Sequence, residues 1–118
     1  MDFPADLSAI EGQELSSVTF VQDYVQLDFN GPVLTLYIWP EIFRSEGSYA
    51  FDEPGYRDML CGEIANTVST TSWETGVAIE IEFESGVIFR TSLRDEDYDG
   101  PEAGNYRTGN PDDPLIVF

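Results

Sequence analysis

Histidine and lysine are both missing from this 118-residue chain, and cysteine occurs once, as Cys61. Without histidine the commonest general base and the commonest transition-metal ligand are gone. Neither a Ser-His-Asp nor a Cys-His arrangement can be assembled. Without lysine there is no Schiff-base chemistry and no phosphate-loop lysine. A single thiol permits no intramolecular disulfide and no cysteine-based zinc site, which suits a reduced cytoplasmic setting. No apolar run approaches the ~18 residues of a membrane span. The acidic start, Met1-Asp2-Phe3-Pro4-Ala5-Asp6, does not read as a signal peptide. Basic residues are scarce: five arginines stand against 23 carboxylates, for a net charge of -18. Such a charge repels nucleic-acid phosphates and anionic lipids alike, so neither is the expected partner.

What is present is a core's worth of apolar side chains, 42% of residues with 14% aromatic, in a chain sized for one domain, residues 1–118. They alternate with polar residues in two blocks. In the first, Val25, Leu27 and Phe29 alternate with Gln26 and Asp28, and Leu34, Leu36 and Ile38 follow Asn30-Gly31-Pro32. This is a hairpin pattern. Pro32 lacks the N–H that closes a two-residue turn, so a four-residue loop is expected, pairing Phe29 with Leu34. A preceding strand near Val18 to Val21 makes a meander. In the second block Val77, Ile79, Ile81 and Phe83 alternate with Ala78, Glu80, Glu82 and Glu84. A two-residue loop after it would put Arg90 on the apolar face. The three-residue loop Glu84-Ser85-Gly86 instead aligns Val87, Phe89, Thr91 and Leu93 with the core, sets Glu80 opposite Arg90, and needs Gly86 in the left-handed region.

Between the blocks, Tyr56, Met59, Leu60 and Ile64 recur at helical spacing, with Asp52 or Gly55 to begin the helix and Asn66 to end it. A second short helix is expected over Ala5 to Glu11, with Leu7 and Ile10 facing in. Residues 5–44 and 55–97 read as related helix-meander halves, by duplication or by convergent patterning. Two one-sided meanders must bury their apolar faces on each other. The expectation is a mainly β (α+β) fold, an antiparallel six- to seven-stranded barrel or sandwich with one or two short helices. Arg94 onward is rich in turn formers and reads as loop, up to a last strand in Leu115-Ile116-Val117-Phe118.

The phrases Gly55-Tyr56-Arg57-Asp58-Met59-Leu60-Cys61-Gly62 and Gly100-Pro101-Glu102-Ala103, with Asn30-Gly31-Pro32 and Trp39-Pro40, resemble a family of small acidic bacterial proteins of uncharacterised activity. The resemblance spans about residues 12 to 106. It implies no catalytic residue and no cofactor.

Four groups of residues invite a chemical reading. Asp95, Asp97 and Asp99 before Gly100 match the opening of a Ca²⁺ loop, with Glu102 as a further ligand. The loop follows a strand rather than a helix, and the EF-hand's closing glutamate is replaced by Tyr106, so a solvated acidic loop is the competing reading. Glu80, Glu82 and Glu84 line one strand face about 7 Å apart, which an exposed face explains as well as acid–base chemistry does. Cys61, near Arg57 but beside an apolar stripe, reads as a buried, inert thiol. Tyr24, Tyr37, Trp39 and Trp73 form either an exposed aromatic patch or a surface that the helix covers. The charge itself fits salt adaptation, mimicry of DNA, or the blocking of a basic surface. These observations favour a non-enzymatic, cytoplasmic protein-binding domain of the immunity or inhibitor type, acting on a basic partner through Glu80, Glu82, Glu84, Trp39 and Tyr37. A calcium- or small-ligand-binding β domain using the Asp95–Asp99 loop is the alternative.

Overall fold

Half-buried strands require apolar side chains at every second position, and the chain uses that pattern more often than its two clear blocks suggest. The computed structural model describes residues 7–98, 100 and 102–118. Among them lie strands β1 (Ser17–Val21), β2 (Tyr24–Asp28), β3 (Val33–Leu36), β4 (Glu41–Arg44) and β5 (Gly47–Tyr49), and helix α1 (Tyr56–Cys61). Strands β6 (Val68–Glu74), β7 (Ala78–Phe83), β8 (Ile88–Ser92), β9 (Gly104–Arg107) and β10 (Ile116–Val117) follow. Short 3-10 helices cover Ser8–Ile10 and Asp95–Asp97. No helix among the described residues is long and apolar enough to cross a membrane.

The strands form two open antiparallel sheets, ordered β1-β2-β3-β9-β10 and β5-β4-β8-β7-β6. The fold is therefore a sandwich of two five-stranded sheets, and neither closes into a barrel. The expected count of six or seven strands falls short because β4, β5, β9 and β10 are too short to show a period. The stretch after Arg94 is not all loop: β9 pairs Leu34 with Tyr106 and Leu36 with Gly104. One continuous core joins both sheets, with Leu27, Leu34 and Tyr106 on one side and Ile42, Ile81 and Phe89 on the other.

The two halves repeat one topology. Each has a short helix, a three-stranded meander (β1-β2-β3, then β6-β7-β8) and a final hairpin (β4-β5, then β9-β10). Each final hairpin joins the other half's sheet: β4 pairs with β8, and β9 with β3. The segments leading into the meanders cross one another, with Gly12 N–H donating to Val68 O, Val68 N–H to Gln13 O, and Ala65 N–H to Leu15 O. Long edge strands are guarded. Glu11 takes hydrogen bonds from the N–H and hydroxyl of Thr71 on β6, and α1 packs beside β1.

The second hairpin has the expected register, with Ile81 opposite Phe89, Glu80 opposite Arg90, and Gly86 at φ 92°. The first does not. Val25 pairs with Leu36 and Leu27 with Leu34, so Asn30-Gly31 is a two-residue turn. Proline removes only one of its closing bonds: Phe29 N–H still donates to Pro32 O at 2.8 Å. Asn30 (φ 61°) and Gly31 (φ 131°) both take positive φ, as such hairpin turns demand. Gly31 N–H is satisfied by Asp28 Oδ1 at 3.0 Å.

Helix α1 is shorter than its sequence pattern. It stops at Gly62, so Ile64 lies beyond it and stays 40% exposed, and Asn66 is not its end. Cys61, expected to be buried, is exposed, because the last helical turn presents Leu60 inward and the next residue outward. Of the helix expected over Ala5 to Glu11, Ala5 and Asp6 lie outside the described residues and the rest holds only the 3-10 turn Ser8–Ile10, while Leu7 just before it and Ile10 within it are buried as expected.

Where β9 meets β3, the backbone leaves no room for a side chain. A Cβ on Gly104 would lie 2.2 Å from Thr35 O and 2.9 Å from the Phe118 ring. Gly104→Ala should cost about 1–3 kcal/mol by overpacking. Urea unfolding checks this, and an unchanged midpoint would show that β9 is not pinned there.

Candidate functional site

Carboxylates on a sheet face repel one another unless water or a cation intervenes. The outward face of β7 carries Glu80 and Glu82, with Glu74 on neighbouring β6 and Glu41 on β4. In register across the sheet stand Ser72, Glu80, Arg90 and Glu41, so Arg90 lies between two glutamates. It forms an ion pair with Glu80, both side chains being more than a third exposed. Among the described residues the other ion pair is Arg44–Glu46, at 3.1 Å. Glu74 and Glu82 thus keep their charges open to solvent. Glu84 stands past the end of β7, where its main-chain N–H donates to Thr67 O at 2.8 Å.

The aromatic residues singled out from the sequence do not join these glutamates. Tyr37 projects from the outward face of the other sheet, edge-on to Tyr24 at 5.7 Å, with Asn105 Nδ2 donating to its hydroxyl at 3.3 Å. The two outward faces of a sandwich point apart, so Tyr37 and Glu80 cannot share one flat interface. Trp73 faces inward and packs edge-on against Phe118 at 4.8 Å. Trp39 lies at neither outward face. The chain leaves β3 at Leu36 and bends, and Trp39 comes to rest between Phe20 (6.1 Å) and Phe51 (4.1 Å), stacked on both.

That stack is the feature sequence reading missed. Phe51 remains 37% exposed. The Arg57 guanidinium lies over both outer rings, 5.7 Å from Phe20 and 5.6 Å from Phe51, within cation–π range. A shallow depression of about 350 Å³ beside it is lined by Phe51 to Asp58, and carries Asp52, Glu53 and Asp58 around Arg57. No periodicity marks Phe20 and Phe51 as partners, because 31 positions of sequence and four strands, β2 to β5, separate them. Tyr56 packs edge-on to Phe51 and donates its hydroxyl to Pro40 O, tying α1 to the segment that holds Trp39.

The proposed metal ligands are placed as follows. Asp95 and Asp97 lie in the second 3-10 helix. Asp97 accepts the Ser92 hydroxyl and Asp95 accepts the Tyr98 hydroxyl at 3.2 Å, both local contacts. Glu102 is half-buried, and Asp99 lies outside the described residues. Among the described residues no three metal-binding side chains converge. Among the described residues the buried carboxylate is Glu63, 8% exposed, which accepts from Ser85 Oγ at 2.7 Å and Asn66 Nδ2 at 3.1 Å. It links the end of α1 to the β7–β8 turn, a structural tie.

Two phenols are displaced upward. The Asp95 carboxylate accepting the Tyr98 hydroxyl holds that phenol neutral, and burial raises Tyr56 well above 10.0. Folding thus favours the protonated phenol. Its contribution to stability is complete below about pH 10 and is lost as pH climbs further. Tyr56→Phe should lose about 0.5–1.5 kcal/mol at neutral pH with the Pro40 hydrogen bond, and its stability should fall less steeply above about pH 10. Denaturant unfolding across that range tests both; parallel curves for the two proteins would refute the second.

The chain matches no family model, and comparison with curated proteins and with solved structures likewise finds no match.

Proposed function

We propose that this chain is a non-enzymatic, cytoplasmic acidic binding protein, of the immunity or inhibitor type, that masks a basic surface on another protein. The observation that carries this reading is the outward face of the β5-β4-β8-β7-β6 sheet. Glu41, Glu74, Glu80 and Glu82 project from it against the single guanidinium of Arg90. Loops contribute most of the remaining carboxylates, Glu84 at the end of β7 among them. A partner of opposite potential would be drawn in quickly and released by salt. Arg90, held between Glu41 and Glu80, keeps the strand pairing from being driven apart by like charges while leaving the face net negative.

An immobilised chain should retain proteins of high isoelectric point from cell extract at about 50 mM salt and lose them by about 500 mM, as screening shortens the reach of charge. The triple variant Glu74→Gln, Glu80→Gln, Glu82→Gln should retain them at least tenfold more weakly. Asp23→Asn, in the β1–β2 turn of the other sheet, should not change retention. Capture that ignores both salt and the triple variant would reject the reading.

A further inference from the structure

On a chain of net charge -18, one whole sheet face is nearly free of charge. The strands β1, β2, β3, β9 and β10 together contain one carboxylate, Asp28, and one guanidinium, Arg107. Both sit at outward positions of the same cross-strand row, on either side of Val33. The next row holds Thr19, Gln26 and Asn105, with Thr35 buried among them and accepting from Gln26 Nε2 at 3.3 Å, and the last holds the Tyr24–Tyr37 pair. Six large hydrophobic residues stay exposed among those described. Val21, Tyr37 and Val117 lie on this face and Leu115 borders it.

We propose that this face is where a second copy of the chain docks, in a two-fold dimer whose axis runs along β3. The sheet order places β3 in the centre, with β2 and β9 one strand to either side. A two-fold axis in the interface plane and parallel to β3 lays each β2 over the partner copy's β9. It therefore sets Asp28 against Arg107 twice, and Tyr37 against its own counterpart. A two-fold axis at right angles to the strands would instead lay each β2 over itself and leave both charges facing neutral residues. The charge pattern thus selects one isologous arrangement. Packed sheets are twisted by about 30° relative to each other, but Asp28 and Arg107 lie one strand, about 4.8 Å, from the axis. Twist displaces them least there.

The size of the face sets the strength. The five strands hold 5, 5, 4, 4 and 2 residues, which at about 4.8 by 3.4 Å per residue cover roughly 330 Å² per copy, about two-fifths of what a standard interface buries on each side. The dimer is weak and concentration-dependent. Because both copies carry the same large negative charge, added salt strengthens it, the opposite of its effect on a basic partner. The dimer does not depend on the function proposed above.

Sedimentation of the full chain at about 500 mM salt tests the arrangement. Wild-type protein should pass from 13.2 kDa toward twice that mass as concentration rises. Asp28→Arg alone places four positive charges together and should remain monomeric; Arg107→Asp alone places four negative charges together and should do the same. An equimolar mixture of the two variants restores both charge pairs and should associate at least as well as wild type, which shows in the same experiment that both variants are folded. Tyr37→Glu, which leaves both charges in place, should also be monomeric. A wild-type chain that stays monomeric to about 1 mM, the millimolar limit of weak association, overturns the proposal. So does a mixture that fails to associate, or single variants that dimerise like wild type.

Discussion

Strands β3 and β8 can lie inside their sheets only because each receives a neighbour from the other half of the chain. A meander ends on an open strand whose backbone donors and acceptors need partners. Here β9 covers β3 and β4 covers β8, so the hairpin leaving each meander completes the opposite sheet. The exchange binds the sandwich together through main-chain hydrogen bonds as well as through core contact. It also explains Gly104. Where β9 crosses Thr35 and Phe118, only a residue without a side chain allows the approach.

That architecture governs where charge can go. The core accepts apolar side chains and a few satisfied polar ones, such as Glu63 under its two donors. Most of the carboxylates are therefore displaced to loops and to one sheet face, where water screens their repulsion. The two outward faces differ in consequence. One carries Glu41, Glu74, Glu80 and Glu82 around Arg90, with half-buried Ile88 and Phe43 in the Glu82 row, and the other is a nearly neutral surface of tyrosine, amide and hydroxyl groups. Opposite faces of a sandwich share no side chains, so each is free to meet a partner of its own.

The contrast between the two hairpins shows what periodicity can resolve. For the second, the competing loop differed by one residue and would have put Arg90 into the core, so the pattern chose the turn. For the first, loops of two and four residues leave the same side chains inward, because a shift of two positions preserves the face. Hydrophobic pattern is blind to that choice, and the backbone stereochemistry of Asn30 and Gly31 decides it. Trp39 illustrates another limit. Alternation assigns it a face only while the strand continues, and β3 ends three residues earlier.

The sequence by itself determined the excluded chemistries, the antiparallel β character, the apolar faces of both meanders, the Glu80–Arg90 pair and the negative surface. All of these depend on residue type or on spacing within a few positions. Tertiary structure alone decided the hairpin exchange, the stacking of Trp39 between Phe20 and Phe51, the exposure of Cys61, and the separation of Tyr37 from the glutamates of β7. Each of these is a contact or separation between segments far apart in the chain. Short strands such as β9 and β10 carry too little local preference to announce themselves, and they exist because a neighbouring strand offers hydrogen bonds to complete.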